Sequence, residues 1–162
     1  MTISVGERLP EAALMRMGDK GPEQVNLSAL VKGRNVVIFA VPGAFTPTCS
    51  AAHVPSFIRT KAGFDAKGVD AVICISVNDP HVMKAWGEAT GATVAGIAML
   101  ADPQSALTGA MGMAFDAPAS GLMARSKRYA LQAVDGVVTV LHLEENRSTC
   151  EASGGEAMLA AI

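Results

Sequence analysis

The sequence has few charged side chains, few aromatic ones and no concentrated block of either sign. Only 17% of its 162 residues are charged, 4% are aromatic, and the formal net charge is −2. There is no basic block and no stripe of basic and aromatic residues, which argues against nucleic-acid binding. Half of the residues are apolar, so a disordered chain is excluded as well.

Cysteine is scarce too, and Cys49, Cys74 and Cys150 do not form a recognisable pair. Neither C-x-x-C nor H-x-x-x-H occurs, so no metal site is predicted and a thiol-disulfide oxidoreductase built on two neighbouring cysteines is disfavoured. Residues 1–8 lack the pattern of a signal peptide, and no apolar run is long enough to span a membrane. We therefore expect a cytoplasmic protein whose thiols are normally reduced.

The chain is long enough for one domain with a proper core, which we assign to residues 1–162. Uninterrupted apolar runs at residues 36–41 and 69–77 predict strands that are buried on both faces, and a third strand is predicted at 97–101. Helices are predicted between them, at 51–67 and from 80 towards 91. This alternation is the βαβ pattern of an α/β fold.

The second half of the chain predicts a different kind of strand pairing. Residues 128–134 and 137–143 are apolar runs joined by Asp135-Gly136, a pair typical of tight hairpin turns. Residues 112–124, rich in Gly, Ala and Met, are predicted to be a long loop. The resulting mixed sheet flanked by helices is consistent with a thioredoxin-like fold.

Cys49 occupies the most distinctive position in the sequence. The segment PGAFTPTCS, residues 42–50, links the apolar strand at 36–41 to the helix predicted from residue 51. Backbone N–H groups in the first turn of a helix lack internal partners, and the helix dipole is positive there. A thiolate is favoured at such a position, and the thiolate is the nucleophilic form of cysteine. The same position also suits a small, inert, buried residue.

Residues 42–49, PGAFTPTC, resemble the active-site signature of the peroxiredoxins. The segments ISVNDP (75–80), LADP (100–103) and RSKRYAL (125–131) resemble the type II, or atypical two-cysteine, subgroup of that family. The resemblance extends from about residue 5 to the C-terminus. It implies a thioredoxin-like fold and a thiol peroxidase that needs no cofactor.

The resemblance also implies roles for four residues. Cys49 would attack the peroxide, and Arg128 would stabilise the thiolate and the charge that develops in the transition state. Thr46 would hydrogen-bond the thiolate or the incoming peroxide, although a helix N-cap role is equally sensible locally. Pro42 would shield the site from water. Without the resemblance, Arg128 would be interpreted as part of a solvated basic turn.

Two further residues are candidates near the site. His53 lies one helical turn after Cys49, and the type II subgroup often has a histidine there. We therefore expect it to contact the active-site residues without contacting the substrate. Arg125 is the alternative to Arg128 for the same role. Nothing in the local sequence separates Arg125 from an ordinary surface arginine.

The oxidised Cys49 would be a sulfenic acid, which condenses readily with a thiol. Cys150 is the favoured resolving cysteine, because it lies in a small, polar segment that we expect to be mobile and exposed, and because animal members of the subgroup have theirs there. Cys74 has the spacing found in plant members but lies within a predicted central strand. An external thiol is the third possibility.

The expected substrates are hydrogen peroxide and alkyl hydroperoxides, and the expected reductants are thioredoxin or glutaredoxin and glutathione. The resemblance also implies a homodimer, for which Phe45, Met113 and Phe115 are candidate interface residues, although they suit a core equally well. Two other functions remain open from the residues alone: a redox-sensing or chaperone-like protein switched by oxidation of Cys49, and a thiol-disulfide oxidoreductase.

Overall fold

The two longest apolar runs lie at the centre of a seven-stranded sheet. The computed structural model describes all 162 residues. Strand β3 (Asn35–Val41) pairs in parallel with β4 (Ala71–Ser76), which pairs in parallel with β5 (Ala98–Ala101). Nearly every residue of β3 and β4 is buried. Burial on both faces explains why these strands are continuously apolar instead of alternating.

Antiparallel strand pairs extend the sheet on both sides. The first pair is β1 (Ala13–Gly18) and β2 (Gly21–Asn26), and the second is β8 (Tyr129–Val134) and β9 (Val137–Leu143). The strand order across the sheet is β2-β1-β5-β4-β3-β8-β9. The second pair turns at Asp135 and Gly136, both of which have positive φ, as the Asp-Gly sequence predicts. The predicted mixed sheet is therefore confirmed.

Five α-helices cover the two faces of this sheet: α1 (Leu27–Val31), α2 (Val54–Ala66), α3 (Pro80–Thr90), α4 (Ala106–Ala110) and α5 (Gly155–Ala161). Side chains alternate along β3, so Val36 and Ile38 face the core under α1 and α4. Val37 and Phe39 face the core under α2, α3 and α5. None of the helices is both long enough and apolar enough to cross a membrane.

A π-helical turn, Cys49–His53, precedes α2 and carries the candidate nucleophile. Pro55 has no N–H, so it cannot donate the α-helical hydrogen bond to the residue four positions earlier. Just before it, the N–H of Val54 reaches back five residues to the carbonyl of Cys49, which defines the wider turn. The helix begins earlier than the predicted start at residue 51, and Cys49 lies within its first turns.

The prediction of a long loop at residues 112–124 is wrong in part. Strands β6 (Ala114–Ala117) and β7 (Leu122–Ser126) pair antiparallel as a small second sheet, joined by a 3₁₀ turn at Pro118–Ser120. Asp116 accepts a hydrogen bond of 2.6 Å from the N–H of Ala124, which has a positive φ of 49°. Both strands are short and contain no β-branched residue, so their composition carries little strand propensity.

Helix α5 approaches α2 closely at Gly155. The N–H of Gly155 donates to Ser56 Oγ at 2.9 Å, and a β-carbon added here would overlap the Thr60 hydroxyl and the Ser56 carbonyl oxygen. This contact fixes the start of α5 against α2, and with it the end of the segment that precedes α5.

We expect Gly155→Ala to lower the free energy of unfolding by about 2 kcal/mol, because backbone atoms of α2 cannot move aside for the methyl group. Urea unfolding measures the change. Gly109→Ala is the matched control, since Gly109 is also helical but has open space around its α-carbon. The control should be neutral or slightly stabilising. Equal unfolding midpoints for the two variants would contradict a close contact at Gly155.

Candidate functional site

Cys49 and Arg128 are in direct contact inside the protein. Arg128 Nη2 donates a hydrogen bond to Cys49 Sγ at 3.2 Å, and both residues are buried. Residue 128 precedes β8, and the β3–β8 register pairs Tyr129 with Ala40. This pairing brings Arg128 to the end of β3 from which the Cys49 loop departs. A permanently charged donor at this distance favours the thiolate form of cysteine.

Arg128 is a buried cation without a carboxylate partner. Its Nε and Nη2 donate to the carbonyl oxygen of Arg147 at 3.1 and 3.0 Å, and its Nη1 contacts His53 Nδ1 at 3.0 Å. None of the four salt bridges in the protein includes it. Burying an unpaired charge is costly, so the guanidinium strongly favours an anion beside it. The sulfur of Cys49 is the side-chain atom of the Cys49 loop that lies within hydrogen-bond distance of this guanidinium.

His53 holds the opposite side of the Arg128 guanidinium. Its ring is fully buried, and Nε2 lies 2.9 Å from the carbonyl oxygen of Ser153. A carbonyl oxygen only accepts, so Nε2 carries the hydrogen and Nδ1 is the acceptor for Arg128. Burial and the charge of Arg128 lower the pKa of His53 to about 3. The ring is therefore neutral and packs against both Phe39 and Phe57, which stack on each other, with centroid distances of 5.0 and 5.6 Å.

The loop before Cys49 is braced by hydrogen bonds from two directions. The Thr46 hydroxyl donates to the carbonyl of Gly43 at 2.7 Å and forms no hydrogen bond with Cys49. Arg125 Nη1 lies 3.4 Å from the carbonyl oxygen of Pro42, which is buried. Of the two candidate arginines, only Arg128 contacts the sulfur. Arg125 and Thr46 shape the loop in this structure.

A small cavity opens onto this constellation. Its volume is about 200 Å³, enough for a small peroxide and solvent. It is lined by residues of the Cys49 loop, by Arg128 and by neighbouring residues: Pro42, Thr46, Pro47, Thr48, Leu122, Arg147 and Ser148. Cys49 itself is fully buried and is not among the lining residues. No cluster of three or more histidine, cysteine, aspartate or glutamate side chains is arranged to hold a metal ion.

Residues 144–154, which we call the strap, cross the site on its outer side. Thr48 Oγ1 donates to the carbonyl of Ser148 at 3.0 Å, and the strap carbonyls of Arg147 and Ser153 bind Arg128 and His53. At its start, the Glu144 carboxylate accepts hydrogen bonds from the N–H groups of Glu151 and Ser153 and from the hydroxyls of Ser153 and Thr149. These hydrogen bonds lower the pKa of Glu144 against the opposing effect of burial.

The prediction of an exposed segment holds for the neighbours of Cys150, because residues 145–149, 151 and 152 are exposed, but the segment is not detached from the site. The strap is tied to the site at Ser148 and Ser153, on both sides of Cys150, and the Cys150 side chain is half-buried. Burial raises the pKa of the Cys150 thiol, while the charge of Arg128 acts in the opposite direction. Cys74 is fully buried in β4, where burial raises its pKa well above the ordinary value.

The predicted interface residues do not share one environment. Met113 is fully buried in the core, so it cannot contribute to an interface. Phe115 is partly buried, with the guanidinium of Arg147 5.5 Å from its ring centroid. Phe45 alone is well exposed, at 58%, and it has a positive φ of 62°. Met123 on β7, which the sequence did not single out, is a second exposed apolar side chain.

The strap contacts were not found from the sequence. The groups that bind Arg128 and His53 are main-chain carbonyls of Arg147 and Ser153, and a carbonyl is common to every residue type. Of the residues that form these contacts, only Glu144 has a feature visible in the sequence, an acidic side chain at the end of an apolar strand. That feature is too common to predict a contact.

The comparisons with known proteins agree on one family. The sequence matches the family model described as Redoxin over residues 4–159. It is 47% identical to peroxiredoxin-2E-2, chloroplastic, from Oryza sativa subsp. japonica, across 99% of this chain and 73% of that protein. The chain belongs to the peroxiredoxins. This peroxiredoxin is accordingly a thiol-dependent peroxidase, an oxidoreductase that reduces peroxides with electrons from thiols.

Solved structures of other peroxiredoxins have the same fold. Reduced Prx3 from Vibrio vulnificus in complex with H₂O₂ has a TM-score of 0.92 and 44% identity, with 99% of each chain covered. Peroxiredoxin 5 from Alvinella pompejana has a TM-score of 0.85 and 29% identity, covering 98% of this chain and 97% of that one. The predicted thioredoxin-like fold and family are confirmed.

The buried neutral His53 predicts a loss of stability in mild acid. The unfolded chain binds a proton on this histidine below about pH 6.5, whereas the folded chain resists protonation until about pH 3. Its contribution to stability is therefore complete above pH 6.5 and falls as the pH drops. Between pH 7 and pH 5, we expect the free energy of unfolding measured in urea to fall by about 2 kcal/mol.

His53→Asn should remove most of this pH dependence, and His81→Asn, which changes an exposed histidine, should leave it intact. The carboxyl groups with lowered pKa values, Glu7, Glu144 and Glu156, have an ordinary value of 4.5 and contribute mainly at lower pH. Equal pH slopes for the wild type and His53→Asn would mean that folding does not change the pKa of His53.

Proposed function

We propose that Cys49 is the peroxide-reactive residue of this peroxiredoxin and that hydrogen peroxide and small alkyl hydroperoxides are its substrates. The Cys49 thiolate attacks one peroxide oxygen, the S–O bond forms, and the O–O bond breaks. The departing oxygen takes a proton and leaves as water or an alcohol. Cys49 is oxidised to a sulfenic acid, and the peroxide is reduced by two electrons.

The observation that carries this proposal is the contact between Arg128 Nη2 and Cys49 Sγ. A buried guanidinium with no carboxylate partner stabilises the thiolate before the reaction and the negative charge on the peroxide oxygens during it. The 200 Å³ cavity next to Arg128 suits hydrogen peroxide and small alkyl hydroperoxides. Pro42 and Thr46 line that cavity, and their proposed role is to shape it and to limit entry of water.

We propose Cys150 as the resolving cysteine. Its thiolate would attack the sulfur of the Cys49 sulfenic acid, so that the S–S bond forms as the S–O bond breaks, and the departing hydroxide would take a proton and leave as water. The strap carries Cys150 between two anchors, Ser148 bound to Thr48 and Ser153 bound to His53, and these partners flank Cys49 in sequence. Cys74 is disfavoured because it is fully buried in a central strand and its thiol stays protonated.

The reductant that returns the disulfide to two thiols is proposed to be thioredoxin, whose two thiols supply the two electrons by disulfide exchange. Glutaredoxin with glutathione is the alternative, because an external thiol could also attack oxidised Cys49 directly. We propose the cytoplasm as the compartment, on the ground that all three cysteines are free thiols. Relatives named as chloroplastic and mitochondrial make cell fractionation the necessary check.

The experiment compares the wild type with Cys49→Ser, Cys74→Ser and Cys150→Ser. Each protein receives one equivalent of hydrogen peroxide without reductant and is analysed by intact mass and non-reducing peptide mapping. Turnover is then followed with thioredoxin, thioredoxin reductase and NADPH. We expect a Cys49–Cys150 bridge in the wild type and in Cys74→Ser, and loss of at least about a hundredfold in turnover for Cys49→Ser.

Cys150→Ser should still be oxidised at Cys49 but should lose thioredoxin-dependent turnover. A Cys49–Cys74 bridge, or full turnover of Cys150→Ser with thioredoxin, would contradict the assignment of Cys150. Unchanged turnover of Cys49→Ser would contradict the assignment of the reactive cysteine. A single stoichiometric oxidation without turnover under any thiol would favour a redox-sensing role instead.

We also propose that this peroxiredoxin forms a homodimer through the loops around the site. Phe45 supports this, because an exposed aromatic side chain held at a positive φ is unfavourable unless something covers it. Met123, on the neighbouring strand β7, is a second exposed apolar residue. By sedimentation velocity, Phe45→Ser should shift dimers towards monomers, whereas Val94→Ser, at an exposed site after α3, should not. A monomeric wild type, or an unchanged Phe45→Ser dimer, would contradict this proposal.

A further inference from the structure

His53 offers Arg128 a single acceptor, and that acceptor exists in only one chemical form of the ring. Arg128 Nη1 donates to Nδ1 at 3.0 Å, so Nδ1 must carry no hydrogen. A protonated imidazole would repel the guanidinium, and the neutral tautomer with hydrogen on Nδ1 would place two donors against each other. The contact therefore requires the neutral tautomer with hydrogen on Nε2.

The strap supplies the group that selects this tautomer. Nε2 of His53 faces the carbonyl oxygen of Ser153 at 2.9 Å, and this oxygen can bind only a ring nitrogen that carries hydrogen. Ser153 is itself fixed, because its N–H and hydroxyl both donate to Glu144 at 2.8 and 2.9 Å. The chain of contacts runs without a gap from the strap through His53 and Arg128 to the sulfur of Cys49.

We propose that His53 is a positioning residue that holds Arg128 on the Cys49 sulfur, and that the Ser153 carbonyl of the strap keeps His53 in the tautomer that can do so. The proposal rests on the proposed function of Cys49 as the peroxide-reactive residue. His53 acts through Arg128, because its ring forms no hydrogen bond with Cys49 and does not line the substrate cavity.

This arrangement makes the reactive geometry depend on the position of the strap. Two strap carbonyls, those of Arg147 and Ser153, receive three of the hydrogen bonds that orient Arg128 and His53. When the strap moves so that Cys150 can reach Cys49, those acceptors leave together. Arg128 is then free to turn away from the sulfur, and it returns when the disulfide is reduced and the strap docks again.

The test separates the two nitrogen atoms of the ring. In His53→Asn the side-chain oxygen replaces Nδ1 and can accept from Arg128 without any tautomer to select. In His53→Gln the side-chain amide reaches the position of Nε2 and can donate to Ser153, but it leaves Arg128 without its acceptor. His53→Phe keeps a ring against Phe39 and Phe57 and removes both hydrogen bonds. Arg128→Met gives the full effect of losing the guanidinium.

All variants are made with Cys74→Ser and Cys150→Ser, so that only Cys49 reacts. Two rates are measured against pH: oxidation by hydrogen peroxide in a single turnover, and alkylation by iodoacetamide. We expect His53→Asn to stay within about threefold of the parent with the same pH midpoint. His53→Gln and His53→Phe should react about tenfold more slowly near neutral pH, with the midpoint moved upwards, because a charged hydrogen-bond donor is no longer held on the sulfur.

A packing role for His53 gives a different order. Asn and Gln both remove the ring, so a purely structural role predicts similar losses of rate that follow the loss of melting temperature. Equal rates for the two variants, or faster reaction of His53→Gln than of His53→Asn, would overturn the proposal. Parent protein that is alkylated at Cys49 but not oxidised by peroxide would instead overturn the proposed function, and the alkylation profiles would still decide the role of His53.

A measurement on the unaltered protein protects the test against variants that do not fold. Nitrogen-15 NMR of labelled histidine distinguishes the two neutral tautomers and the protonated ring. We expect His53 to keep hydrogen on Nε2 alone from pH 5 to pH 9 in the reduced protein. A ring with hydrogen on Nδ1, or a ring that becomes protonated within that range, would overturn the proposal.

Discussion

The buried guanidinium of Arg128 is the constraint on which the rest of the site depends. The fold places a permanent positive charge inside the protein, 2% exposed, and gives it no carboxylate to pair with. The surroundings compensate with neutral acceptors only: a main-chain carbonyl and an uncharged imidazole. A carboxylate in either place would compensate the positive charge of Arg128, and the guanidinium would then no longer favour a thiolate beside it. Neutral acceptors orient the charge and leave it available to Cys49.

The sheet explains how residues so distant in sequence meet at this charge. Strand β3 delivers the Cys49 loop at its carboxyl end, and β8 runs antiparallel beside it, so the residue before β8 lies at the same edge. The π-helical turn then brings both Cys49 and His53 to one guanidinium. Pro55, which cannot continue the α-helical hydrogen bonding, follows that turn directly. A local backbone feature and a long-range strand pairing therefore converge on one contact.

The parts of this structure that sequence could predict are those with a periodic or chemical signature. Continuous apolar runs identified the central strands, Asp135-Gly136 identified the hairpin, and the PGAFTPTC segment led to Cys49. Periodicity failed for β6 and β7, which are short and contain no β-branched residue. For Met113 the sequence left an interface and a core position open, and the structure places it in the core. Arg128 came from family resemblance, because the local sequence RSKR has the appearance of a solvated turn.

The strap could not be predicted for a more basic reason. Small, polar composition suggests mobility when a segment is considered alone, and residues 144–154 have that composition. Hydrogen bonds nevertheless hold the segment in place. Its carbonyl oxygens accept from side chains of other elements, and the Glu144 carboxylate accepts from an N–H group later in the segment. Such contacts depend on backbone path and not on residue type.

That dependence has a functional consequence for Cys150. A resolving thiol on a freely moving tail would meet the sulfenic acid by chance, at a rate set by the length of the tail. The proposed resolving thiol, Cys150, lies on a strap that also orients Arg128, so movement of the strap would remove the carbonyl acceptors of Arg128 and His53. Reaction with peroxide would then need the docked strap, and resolution of the oxidised cysteine would need the displaced strap. The two steps would therefore exclude each other in time.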